Sequence, residues 1–117
     1  MAYVDGFVAA VPTANQEKYL EHAKIAAALF KEHGALRVVE NWSDDVPDGE
    51  ITSFPLAVKA EAEESIVLSW VVWPSRAARD AGWAAVMNDP RMSAENNPMP
   101  FDGKRLIYGG FTTLLDS

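Results

Sequence analysis

Four polar residues stand where the chain is otherwise apolar. Asp5 lies between Val4 and Phe7 in "YVDGFVAAVP", and Glu40 interrupts "LRVVENW". Arg105 and Tyr108 flank Leu106 and Ile107 in "GKRLIYGGF". A carboxylate in apolar surroundings either finds a partner or shifts its pKa upward. A raised pKa suits a general base, so Asp5 and Glu40 are candidate bases. The planar fork of Arg105 suits a carboxylate or carbonyl ligand, and Tyr108 could help polarise an oxygen. The competing reading pairs Asp5 and Glu40 with Arg37, Arg105 or backbone amides, where they only fix the fold. Aromatic rings complete the candidate site. Phe7, Trp42, Trp70 and Phe111 are the expected ligand-binding residues, since tryptophan favours cores, interfaces and pockets. Trp42 leads into an acidic loop and is the leading pocket candidate, while Trp70 suits a core or an interface between subunits.

Other chemistry is poorly supplied. His22 and His33 fall on nearly the same face of one helix, but eleven residues at ~1.5 Å each separate them by roughly 16 Å, too far to share a metal. Asp44, Asp45, Asp48 and Glu50 crowd one loop. Their spacing does not match the twelve-residue calcium loop, and "PDG" is a ready turn, so a solvated turn is expected there. The chain has no cysteine, which removes thiolate nucleophiles, disulfides and Cys-ligated metals. No glycine-rich phosphate loop occurs. No metal and no cofactor is expected.

The elements that must position these residues follow from pattern. "YVDGFVAAVP" reads as a strand from about Tyr3 to Val11. Thr13 and Gln16 have the form of a capping box, and Tyr19, Ala23, Ala26 and Phe30 then recur at helical spacing. Gly34 suits the residue after the helix. "ALRVVENW" is a second strand, and "SFPLAVKA" a weaker, edge-like one, given Pro55. "SIVLSWVVW" is the firmest strand. Ser75 caps a second helix with Arg76 as its first residue, running to about Asn88. That helix is alanine-rich with Gly82 inside, and Arg76, Arg79 and Asp80 read as its solvated face. A polar, proline-marked connection follows, and Pro100 to Gly103 reads as a four-residue turn. "LIYGGFTTLL" is the last strand, where Gly109 and Gly110 signal a bulge or a close backbone approach.

The order β-α-β-(β)-β-α-β is the ferredoxin-like arrangement, an α+β fold with an antiparallel sheet and both helices on one face. "SIVLSWVVW" is apolar on both sides, with Ile66, Leu68, Trp70 and Val72 on one and Val67, Val71 and Trp73 on the other. The helices cover one side. A second subunit is the simplest cover for the other, so a twofold homodimer is expected. The 117 residues fit one domain, 1–117. With 10 Lys+Arg against 17 Asp+Glu, the net charge of -7 repels nucleic-acid phosphates and anionic membranes. No apolar run approaches the ~20 residues of a membrane span, and no signal peptide is evident, so a cytoplasmic protein is expected.

"YVDGFVAAVP", "GALRVVENWSDDVPDGE", "SWVVWPSRAARDAG", "DPRM" and "MPFDGKRLIYGGF", in that order, resemble the YbaA-like family of small bacterial proteins, a domain of unknown function. The resemblance implies the dimeric α/β-barrel superfamily, in which two ferredoxin-like sheets close face to face. It implies fold and dimer and supplies no catalytic mechanism; the wider superfamily includes cofactor-independent monooxygenases and lactone isomerases. The functional expectation is a small apolar or aromatic molecule bound between sheet and helices. The alternatives are a cofactor-independent enzyme of monooxygenase or isomerase type, and a protein-interaction module.

Overall fold

The computed structural model describes residues 2–117. Four strands, β1 (Tyr3–Pro12), β2 (Arg37–Trp42), β3 (Glu64–Trp73) and β4 (Ile107–Thr112), form an antiparallel sheet in the order β2-β3-β1-β4. Helices α1 (Gln16–Glu32) and α3 (Arg76–Met87) link β1 to β2 and β3 to β4. Each connection passes over the strand lying between the two it joins, as the ferredoxin-like fold requires.

Register decides which side chains meet. Glu40 of β2 faces Ser69 of β3, Ser69 faces Phe7 of β1, and Phe7 faces Tyr108 of β4. These four form one row across the sheet on the helix side, because every second residue of a strand shares a face. The next row on that side holds Val38, Val71, Asp5 and Gly110. Buried Tyr3, Val71 and Trp73 pack beneath Leu29 and Phe30 of α1 and Val86 of α3. A second cluster joins Ala9, Val11 and Val67 to Tyr19 and Ala23.

The outer face carries the alternate residues. Trp70 is half-buried there, while Leu68, Ile107 and Phe111 are exposed. One end of that face is covered from within the chain, where Val58 packs on Ala10 and Ile66.

Local chemistry explains the element ends. Ser75 caps α3, its hydroxyl accepting from the Ala78 N–H at 3.1 Å. Gly34 takes φ 109° after α1, a left-handed angle that glycine adopts without cost. Gly82 sits inside α3 because a Cβ there would collide with the ring of Trp73 and press on the His33 carbonyl.

Three expectations are corrected. The Thr13–Gln16 capping box does not form: Thr13 begins a 3-10 turn and its hydroxyl bonds the Ser65 hydroxyl at 2.7 Å, so α1 starts at Gln16 without a side-chain cap. "SFPLAVKA" is not a strand but holds a helical turn, α2 (Phe54–Ala57), because the Ser53 hydroxyl accepts from the Leu56 N–H and Pro55 sits within the first turn. After Pro100, the expected four-residue turn is instead a 3-10 turn over Gly103–Arg105, capped by Asp102.

Candidate functional site

The rows on the helix side form the floor of a cavity of about 470 Å³ between sheet and helices. Phe7, Ala9, Val38 and Val71 give the floor an apolar surface, and Tyr19, Ala26 and Phe30 of α1 form one wall. Trp83 and Met87 of α3 form another, and Met92, Met99, Phe101 and Leu106 from the connection after α3 form the roof. Met87, Met99 and Tyr108 are exposed as well as lining, which places them at the mouth.

Two carboxylates interrupt this surface, and their surroundings differ. Asp5 is 3 % exposed and saturated. Its Oδ2 accepts from the indole N–H groups of Trp73 at 2.9 Å and Trp83 at 2.7 Å, while Arg79 reaches Oδ1 through Nε at 3.0 Å and Nη2 at 2.9 Å. Arg79 also donates from Nη1 to Asp80 Oδ1 at 2.9 Å and lies over the ring of Tyr3 at 5.1 Å. These carboxylate partners hold its pKa above the ordinary guanidinium value. A carboxylate accepting from two indoles and a guanidinium fork has few lone pairs left for a ligand. Asp5 is therefore a fixed ion pair, its partner being Arg79 rather than Arg37, Arg105 or backbone. Gly110, beside Asp5 in the same row, carries no side chain because Tyr3 and Arg79 occupy that space. The close approach expected at the double glycine is thus present, and the β1–β4 register runs through it without a bulge.

Glu40 is different. Its carboxylate accepts from the Tyr19 hydroxyl at 2.6 Å, and Ser69 is its cross-strand neighbour. No cation pairs with it among the described residues. Glu40 is an exposed residue of the edge strand β2 and also lines the cavity. Withdrawal from water raises the carboxyl pKa, and the hydrogen bonds from Tyr19 and Ser69 offset part of the rise. Burial, with the Glu40 charge, pushes the Tyr19 hydroxyl well above its ordinary value, so Tyr19 stays a donor.

Of the residues singled out from sequence, Asp5, Glu40, Tyr108 and Phe7 line the cavity. Arg105 does not. It is spent on a clip, donating to both carboxylate oxygens of Glu64 at 2.7 Å, to Asp102 at 3.0 Å and to the Lys59 carbonyl at 2.9 Å. That clip holds the Glu64 carboxyl below its ordinary pKa. Trp42 packs behind Tyr19, ring centroids 6.3 Å apart, outside the cavity. Trp70 and Phe111 are on the outer face by strand alternation, with Phe111 lying beside Gly6 and Gly109.

Tyr19, Ser69, Arg79 and Trp83 line the cavity without having been singled out as site residues. Arg79 was readable: it shares the stripe of Gly82, Trp83 and Val86, the face that α3 turns to the sheet.

The histidines lie apart from the cavity. His22 Nδ1 bonds Asn97 Oδ1 at 3.0 Å, tying the roof segment to α1, and burial lowers its pKa. His33 stands near Glu32 and Asp89, a cluster with metal-ligand spacing. The positive charge there is Arg91, which bonds Asp89 at 2.7 Å and Glu32 at 2.8 Å.

Comparison with known proteins places this geometry. The chain is similar to "Uncharacterized protein YbaA" of Escherichia coli strain K12, with 56% identity over 116 residues covering 99% of both chains. The protein of the same description from Shigella flexneri matches to the same extent. Among solved structures, a variant of SnoaB, described as a cofactor-independent oxygenase from Streptomyces nogalater, superposes with a TM-score of 0.53 over 98% of this chain and 93% of that one. At 14% identity that likeness shows the ferredoxin-like fold and nothing finer. The family model described as "Protein of unknown function (DUF1428)" matches residues 2–103, and with the full-length relatives it establishes that the chain belongs to this family.

Proposed function

We propose that the protein is a cytoplasmic homodimer that binds a small aromatic molecule in the cavity between sheet and helices. One observation carries the reading: an apolar cavity of about 470 Å³ whose floor holds a hydrogen-bonded carboxylate, Glu40, with no cation partner among the described residues. Ligand sites have this character, a largely apolar surface with a few placed polar groups. The dimer is supported by the outer face of the sheet, where exposed Leu68, Ile107 and Phe111 surround half-buried Trp70. No described helix is long and apolar enough to cross a membrane.

A second reading makes the same site catalytic. Glu40, raised in pKa and oriented by Tyr19, would act as the base on a ligand proton. The description of SnoaB as a cofactor-independent oxygenase suggests one reaction type for such a site. Native mass spectrometry of untagged protein tests the binding reading. A dimer carrying a reproducible extra mass, lost when Ala26→Trp fills the cavity, is the expected result. An empty monomer would refute both the dimer and a retained ligand.

A further inference from the structure

The charges around the cavity specify more than its size. Among the described residues Arg79 is the one basic residue of the lining, against the carboxylates Asp5 and Glu40. Its guanidinium is already engaged, with Nε and Nη2 on Asp5 and Nη1 on Asp80. An anionic ligand would therefore meet no free cation, and would face the unpaired charge of Glu40 at the other end of the floor. From the register, Glu40 and Asp5 stand two strands and one row apart, roughly 12 Å between Cα atoms. Phe7 and Ser69 form the floor between them, with Trp83 packed beside Phe7 at 6.1 Å.

We infer that the cavity takes an uncharged aromatic molecule whose hydroxyl donates a hydrogen bond to Glu40, and that Asp5 excludes aromatic carboxylates by holding Arg79. The inference rests on the binding reading above and adds the ligand class to it. The geometry at Glu40 supplies an acceptor: Tyr19 donates to one carboxylate oxygen, and the two oxygens leave further lone pairs for a ligand. Its raised proton affinity makes it a stronger acceptor for a weakly acidic O–H. Asp5 acts here as a specificity residue that never needs to touch the ligand. Its removal would release a guanidinium fork of the geometry that recognises carboxylates.

Isothermal titration of the full chain at pH 7.5 with three probes on one ring system tests this: 2-naphthol, 2-naphthoate and 2-naphthylmethylammonium. The naphthol is expected to bind at least about tenfold tighter than the naphthoate, the ratio one lost or gained charge-assisted hydrogen bond produces. Asp5→Asn should strengthen naphthoate binding by about tenfold or more, with little change for naphthol. Glu40→Gln should weaken naphthol binding and narrow the gap between the two, and it touches none of the Asp5 bonds should Asp5→Asn fail to fold. Naphthoate binding as tightly as naphthol, or the ammonium binding tightest of all, would overturn the inference while leaving the binding site in place. Failure of all three probes to bind would overturn the binding reading itself, and this inference with it.

Discussion

Replacing Gly82 by alanine sets two effects of opposite sign against each other. In an isolated helix the change favours folding by about 1 kcal/mol, because alanine loses less backbone freedom. In this protein the new methyl group would overlap the outer ring of Trp73, whose side chain is fully buried, and press on the His33 carbonyl. A buried ring held by neighbours and a backbone carbonyl cannot swing aside as an exposed side chain would. Overpacking of this kind costs about 1–3 kcal/mol, and two rigid obstacles place it towards the upper end. The net expectation is a loss of ~1–2 kcal/mol, or about 4–8 °C in Tm for a chain of this length. Urea and thermal unfolding at one fixed protein concentration would read it, since the proposed dimer would make stability depend on concentration. In a Trp73→Phe background the penalty should shrink, giving the two changes a favourable coupling. A rise in Tm for Gly82→Ala alone would show that propensity governs this position and that the packing account of Gly82 is wrong.

Carbon-detected NMR titration of Glu40 should give a midpoint above the ordinary carboxylate value, and Tyr19→Phe should move it higher, because the Tyr19 bond opposes the burial effect; the same substitution should cost about 1 kcal/mol of stability. The Glu64 carboxyl is held low by Arg105. Its contribution to stability is therefore complete above the ordinary carboxylate pKa and is lost as pH falls through the lowered value. Glu64→Gln should flatten the acid limb of a Tm-against-pH curve, and an unchanged limb would refute the clip's role. If the proposed dimer forms through the outer face, Phe111→Glu should convert it to monomer in sedimentation velocity at micromolar concentration, with the far-UV spectrum retained.

The outline of this fold was legible because burial leaves periodic marks. The alternation in "SIVLSWVVW" separated Val67, Val71 and Trp73 from Leu68 and Trp70, and the structure puts the first set under the helices and the second on the outer face. The site was legible only in part. Asp5 and Glu40 announced themselves as charges in apolar strands, but their opposite conditions depend on what α3 and α1 bring above them. Arg79 looked like one charge among several on an alanine-rich helix, although it was spaced on the buried stripe. Arg105 sat in an apolar setting similar to that of Glu40, yet its partners Glu64 and Lys59 lie 41 and 46 residues away. No local pattern carries such pairings. The row Glu40–Ser69–Phe7–Tyr108 is likewise a product of register between four strands, and register is a property of the assembled sheet.

The roof of the cavity has a consequence for how this family can change over time. The floor is locked by strand pairing, and Asp5 by five donor contacts, so alterations there propagate through the sheet. The roof is built from Met92, Met99, Phe101 and Leu106 on a segment with two short 3-10 turns, pinned at a few points by Asn97 to His22, by Asn15 to the Pro100 carbonyl and by Arg105 to Glu64. Methionine side chains are unbranched and conform to irregular shapes. Between its pins the roof can accept substitutions that remodel the upper surface of the site without disturbing the hydrogen-bonded framework below. Under the proposed binding role, divergence among relatives is therefore expected to accumulate between residues 88 and 106, with the carboxylates beneath unchanged.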